Sequence, residues 1–105
     1  MALTQLKYEI LGAMMDDYED VEQVYLGVNE AFLRAGEAPN CGQPKYRLVL
    51  VTEEMLGMLA EGLIQAHVSW DEKIAPVERF DQARMYYYWF APTEKGKELW
   101  KSYQP

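Results

Sequence analysis

The sequence predicts an α+β domain: three helices, a two-stranded antiparallel hairpin folded beneath them, and a short C-terminal helix. Three observations predict it. Val21, Val24, Tyr25, Val28 and Phe32 recur at i, i+3, i+4, i+7 and i+11, which is one face of a helix. Ile64, Ala66, Val68 and Trp70 alternate with Gln65, His67 and Ser69, the period of a half-buried strand. Gly62 stands where a helical run gives way to that strand, and Pro92-Thr93 stand where a second strand gives way to a helix. With 105 residues, half of them hydrophobic, the chain can build one core but not two. Residues 1–105 are therefore read as a single domain.

The first helix is expected over residues 3–15. Thr4 is placed to cap it, and Leu3 and Tyr8 stand at the positions of a hydrophobic staple. Leu6, Ile10, Leu11 and Met14 form its buried stripe, and Asp16-Asp17 end it. The second helix runs from Asp20 to Ala35. Asp20 caps it, Gln23 completes a capping box, and Gly36 stops it. Its other face, with Glu22, Asn29, Glu30 and Arg34, is expected to be wet.

Residues 37–43 form a loop by their Pro, Asn and Gly content. The next stretch is ambiguous. Leu48, Val51, Met55 and Leu59 keep helical spacing, with Pro44 suited to a first turn, yet Leu48-Val49-Leu50-Val51 could pass as a short buried strand. A third helix from about Tyr46 to Gly62 is the favoured reading. After the strand 63–70, residues 71–83 read as a long polar turn containing Pro76. Met85–Ala91 reads as the returning strand, aromatic on both faces. Pro92 stops it, and Thr93 caps a last helix that aligns Leu99, Trp100 and Tyr103.

No run of 18 apolar residues is present and the first residues lack a signal-peptide pattern, so a soluble cytoplasmic protein is expected. The single cysteine, Cys41, has no internal disulfide partner. The net charge of −7 disfavours nucleic acid, whose binding rests on Lys and Arg. The charge is uneven. Residues 1–44 carry two bases and eight acids, a net of −6; residues 45–105 carry eight and nine, a net of −1.

Three segments carry a family resemblance when taken together. Leu3–Met14 resembles the first helix of PadR-like and MarR-like winged-helix regulators. Met55–Ile64, with its Leu-Ala-Glu-Gly-Leu-Ile ending, is similar to the end of their recognition helix. Tyr87–Leu99, with Thr93-Glu94-Lys95-Gly96, resembles their second wing strand running into a terminal helix. The resemblance implies a winged helix-turn-helix fold, dimerisation through terminal helices, and DNA binding in transcription regulation. It implies contacts from Lys45, Arg47 and Thr52 near the recognition helix and from Lys73, Arg79 and Arg84 in the wing. The chain departs from the pattern at that helix, since residues 52–62 hold Glu53, Glu54 and Glu61 and no base.

Other residues support less. His67, the only histidine, lacks fellow ligands and reads as a strand-packing or surface residue rather than a metal site. Cys41 has no paired base and reads as a loop bystander. The acids Asp16, Asp17, Glu19, Asp20 and Glu22 lack calcium-loop spacing and suit a helix N-terminus. Tyr87, Trp89, Trp100 and Tyr103 are expected at a self-association surface, because a base-stacking role would need a basic groove beside them. No phosphate loop, cofactor motif or catalytic set is found, so an enzyme is not expected. The leading expectation is a small DNA-binding regulator. The alternative is a winged helix that serves as a protein-interaction or assembly module.

Overall fold

A computed structural model of the chain describes residues 3–35, 45–70 and 72–103, without the side chains of residues 31–35 and 70. The Gly36 stop, the loop 37–43 with Cys41, Pro44 and the side chains of Phe32, Arg34 and Trp70 lie outside the described residues. The elements are α1 (Gln5–Ala13), α2 (Val21–Ala35), α3 (Leu48–Ala60), β1 (Ile64–Trp70), β2 (Lys73–Pro76), a 3-10 helix (Gln82–Tyr87), β3 (Trp89–Pro92) and α4 (Glu94–Ser102). They make an α+β fold in which helices cover one three-stranded antiparallel sheet of order β2-β1-β3. Among the described residues no helix is long and apolar enough to cross a membrane.

Capping side chains start three helices as the sequence predicts. Thr4 Oγ1 accepts from Lys7 N at 3.2 Å, Asp20 Oδ1 from Gln23 N at 2.8 Å, and Thr93 Oγ1 from Gly96 N at 3.1 Å. The α1 stripe Leu6, Ile10, Leu11 and Met14 is buried, and so are Val21, Val24 and Val28 of α2. They meet Val51, Met55 and Met58 of α3, Ile64 and Ala66 of β1, and Phe90 of β3 in one core. Each large aliphatic or aromatic side chain hidden there contributes about 1.5–3 kcal/mol relative to exposure.

Residues 48–51 are helical, which resolves the helix-or-strand ambiguity, and α3 begins at Leu48 rather than Tyr46. The expected stripe needs one correction. Val51 and Met55 are fully buried, but Leu48 is partly exposed and Met58 completes the inner face.

The expected pairing of residues 63–70 with 85–91 is present, in the register Ile64↔Pro92, Gln65↔Ala91, Ala66↔Phe90 and His67↔Trp89. Two details differ. The polar excursion is not one long turn, because Lys73–Pro76 form a strand on the other edge of β1, from Trp70↔Lys73 to His67↔Pro76. Glu72, at φ 64°, turns the chain between them. The aromatic run is not a strand throughout either. Met85 and Tyr88 are buried while Tyr86 and Tyr87 point outward, a period of three that suits a 3-10 helix. Only from Tyr88 to Phe90 does burial alternate as in a strand.

Asn29 is a second correction. It was expected on a wet face and is fully buried. Its Nδ2 donates to Tyr25 O at 2.8 Å and to Tyr46 O at 3.1 Å, and its Oδ1 accepts from Tyr46 N at 2.8 Å. One amide thus ties α2 to the residues that lead into α3.

The far end of α3 closes with Gly62 at φ +76°. Leu63 N donates to Met58 O at 2.9 Å and Gly62 N to Leu59 O at 3.2 Å, the two bonds of a Schellman ending. The corner is then seated on the start of α4. Thr93 Oγ1 donates to Gly62 O at 2.6 Å, and Thr93 N donates to Leu63 O at 3.0 Å. Gly96 lies against the Leu63 carbonyl, where a Cβ would collide with backbone. Further along the same face of α4, Trp100 stacks on Tyr8 at 5.7 Å, and Tyr103 just beyond the helix packs on Tyr8 at 4.5 Å.

Two outcomes follow from these ties. Asn29→Ala leaves the Tyr46 amide without its partner, and should destabilise the fold by roughly 2–4 kcal/mol. A urea titration should show a lower midpoint with an unchanged slope. Thr93→Val removes both a cap and the donor to Gly62 O, and should destabilise by about 2 kcal/mol, whereas Thr93→Ser should stay close to the parent in the same titration.

Candidate interaction surface on the third helix

The setting of α3 decides what the molecule shows to a partner. Its inner face is fixed by Val51, Met55 and Met58, so Val49, Glu53, Gly57 and Ala60 turn away from the core. At the first turn three apolar side chains in succession face solvent: Leu48 is 38% exposed, Val49 62% and Leu50 45%. The sequence does not announce this feature, because Leu48 keeps the helical spacing of Val51 and Met55 and the run 48–51 also suits a strand. With Val51 and Met55 on the core face, Val49 falls opposite.

Two of the three acids among residues 52–62 lean back on the fold. Glu61 pairs with Lys7 at 2.9 Å, and both side chains are largely buried. Lys95 Nζ donates to the Glu61 carbonyl at 2.9 Å. Glu54 accepts from the Thr4 hydroxyl at 3.4 Å. Glu53 alone of the three is exposed.

The residues expected to touch DNA occupy three places. Lys45 and Arg47 are exposed just before α3, where Lys45 Nζ sits 5.2 Å from the Tyr46 ring centre. Arg47 is the N-cap residue of α3 and makes no side-chain capping bond. Thr52 uses its hydroxyl on Leu48 O at 2.8 Å, inside the helix. Lys73 is exposed at the start of β2, Arg79 follows β2, and Arg84 lies on the 3-10 helix beside Tyr87. Burial, then the hydrogen bond and charge of Glu9, push the Tyr46 hydroxyl up, with Lys45 working the other way.

The four expected interface aromatics divide in two. Tyr87 is 81% exposed and Trp89 is also outward, both on the stretch that leads into and along β3. Trp100 and Tyr103 spend ring surface on Tyr8, and the Tyr103 hydroxyl donates to Gln5 Oε1 at 3.0 Å.

Among the hollows that border the sheet, two lie beside the residues above. One, of about 570 Å³, runs between the C-terminal half of α3 and the sheet, lined by Leu56, Leu59, Ala60, Ile64, Ala66, Val77 and Phe80 with Gln65, Glu78 and Gln82 at its polar margin. The other, of about 330 Å³, lies by the turn between α1 and α2 and includes Tyr18, Gln65, His67 and Lys97. Tyr18 meets His67 edge to face at 4.8 Å, and His67 Nδ1 is buried without a hydrogen-bond partner. Among the described residues no three His, Cys, Asp or Glu side chains are placed to hold a metal ion.

The acids between α1 and α2 serve the backbone. Asp17 Oδ1 accepts from Tyr18 N at 2.8 Å, Asp20 caps α2, and Glu19 forms an isolated bridge with Phe90 through its backbone. The Glu19 carboxyl is raised above its ordinary 4.5, first by desolvation and then by Asp17 and Asp20. A raised acid opposes folding when ionised. Its penalty is complete above the raised value and is relieved as pH falls through that value toward 4.5. Glu19→Gln should therefore stabilise the protein at neutral pH. That gain should shrink on acidification and vanish below the ordinary carboxyl range, as read from urea midpoints at stepped pH.

No known family model matches the chain, and no curated protein or solved structure is significantly similar to it.

Proposed function

We propose that the chain is a winged-helix domain that binds a protein partner through the outward side of α3. The order of three helices, a strand hairpin and a closing helix supports the winged-helix part of this reading, as does the bridge of Glu19 to β3 between α1 and α2. One topological difference stands beside it: β3, rather than the hairpin partner β2, leads into the last helix. The observation that carries the function is the exposed Leu48-Val49-Leu50 turn. In the regulators the chain resembles, that helix offers polar and basic side chains to phosphates and base edges. Here α3 contains no base. Three exposed apolar side chains at one helix turn suit an interaction surface, since desolvating them drives association.

DNA binding is the second reading. Exposed Arg47 and Lys73 favour it, together with the inward setting of Glu54 and Glu61. Both readings meet in one pair of measurements. A photoreactive side chain placed at Val49 should cross-link one discrete protein in cells, while the same group at Glu98 should not. Anisotropy with a mixed-sequence duplex at low salt should show binding no tighter than roughly 10⁻⁴ M, the weak end of non-specific affinity. Tighter, steeply salt-dependent binding that Arg47→Ala and Lys73→Ala weaken would overturn the protein-binding reading in favour of DNA.

A further inference from the structure

The groove beneath α3 has a definite chemistry. Its floor is aliphatic and aromatic, from Leu56, Leu59, Ala60, Ile64, Val77 and Phe80. These residues come from one helix, one strand and the segment after β2, held by Val77 N donating to Ala66 O at 2.9 Å. Among the described residues, the one charged residue that lines the groove is acidic, Glu78. Asp81 is exposed on the same segment, with Arg79 between them, and Glu53 is exposed on α3. The chain as a whole carries −7. A second copy would therefore bring like charge to this margin, whereas a basic partner would be steered to it.

From this floor and margin we infer that the groove receives the apolar stripe of a basic amphipathic helix from another protein. The inference rests on the protein-binding reading and adds the class of partner and its seat. The part of α3 that walls the groove runs from Leu56 to Ala60, about 7 Å at about 1.5 Å per residue. Two turns of a partner helix laid across the groove place residues at i, i+3 or i+4, and i+7 over the floor. Its Lys and Arg side chains then lie over Glu78, Asp81 and Glu53. The Leu48-Val49-Leu50 turn is on the same helix, about two turns before the groove.

The test uses the full chain and two synthetic 14-residue helical peptides with identical leucine stripes, one with lysine and one with glutamate on its polar face. Amide resonances of the labelled protein report where each binds. The lysine peptide should shift Leu59, Ala60, Ala66 and Phe80, and bind at least tenfold more tightly than the glutamate peptide. Ala60→Arg, at an exposed position, should leave the melting temperature near that of the parent and weaken the lysine peptide tenfold or more. Glu78→Lys should narrow the difference between the peptides. Equal affinity for the two peptides would overturn the basic partner. Shifts confined to Leu48–Leu50 would overturn the groove as the seat and leave the protein-binding reading standing. No shift at either place, with no cross-link from Val49, would remove both. A dimer in sedimentation that Ala60→Arg dissolves would make a second copy the occupant and overturn the inference.

Discussion

The fold depends on one corner, where Gly62 and Leu63 lie over the start of α4. Four backbone groups there would otherwise be buried or strained, and each has a designated answer. The positive φ of Gly62 reverses the chain without a Cβ penalty. Its carbonyl takes the Thr93 hydroxyl and the Leu63 carbonyl takes the Thr93 amide. The same hydroxyl accepts from Gly96, so it donates and accepts at once. Gly96 is required because the Leu63 carbonyl comes so close that no side chain fits. A single threonine therefore links the end of α3, the start of β1, the end of β3 and the start of α4.

This corner fixes one end of α3, and Asn29 fixes the other. Between them the helix cannot rotate, because Val51, Met55 and Met58 key its inner face into the core. The outward face follows from that angle. Rotation by one residue, about 100°, would hide Val49 or turn Glu61 away from Lys7. The exposed apolar turn is thus a consequence of where the core residues stand, and the protein bears the cost of keeping it hydrated while it is uncovered.

The parts of the fold that short-range chemistry determines were legible in the sequence. Thr4, Asp20, Gly62 and Thr93 mark their boundaries through local hydrogen bonds and backbone preference, and the α1 stripe follows from period alone. The parts that depend on distant partners were not. Lys73–Pro76 become a strand because β1 offers its edge, which no property of those four residues announces. Met85–Tyr88 could not be told from a strand because apolar residues fill every position, so the period is invisible until burial separates them. Asn29 is hidden for the same reason, since its partner Tyr46 is 17 residues away. For the candidate surface, the absence of bases on α3 was legible, whereas the groove floor at Val77 and Phe80 sat unseen inside a segment read as polar.

Charge shows how far composition can mislead about a surface. Counted along the chain, α3 and the glutamate that follows it hold three acids and would repel phosphate. In the fold, Glu61 is neutralised by Lys7 and Glu54 leans on Thr4, so the repulsion belongs mainly to Glu53. What separates this helix from a groove-reading one is not its acids but the lack of donors opposite them. Val49, Leu50, Gly57 and Ala60 offer a base edge no hydrogen bond, and phosphates no charge. The same residues lose little on meeting an apolar surface and gain from leaving water. The physical preference of the face is thus set by the side chains that point outward, and these offer apolar area rather than hydrogen-bond donors or positive charge.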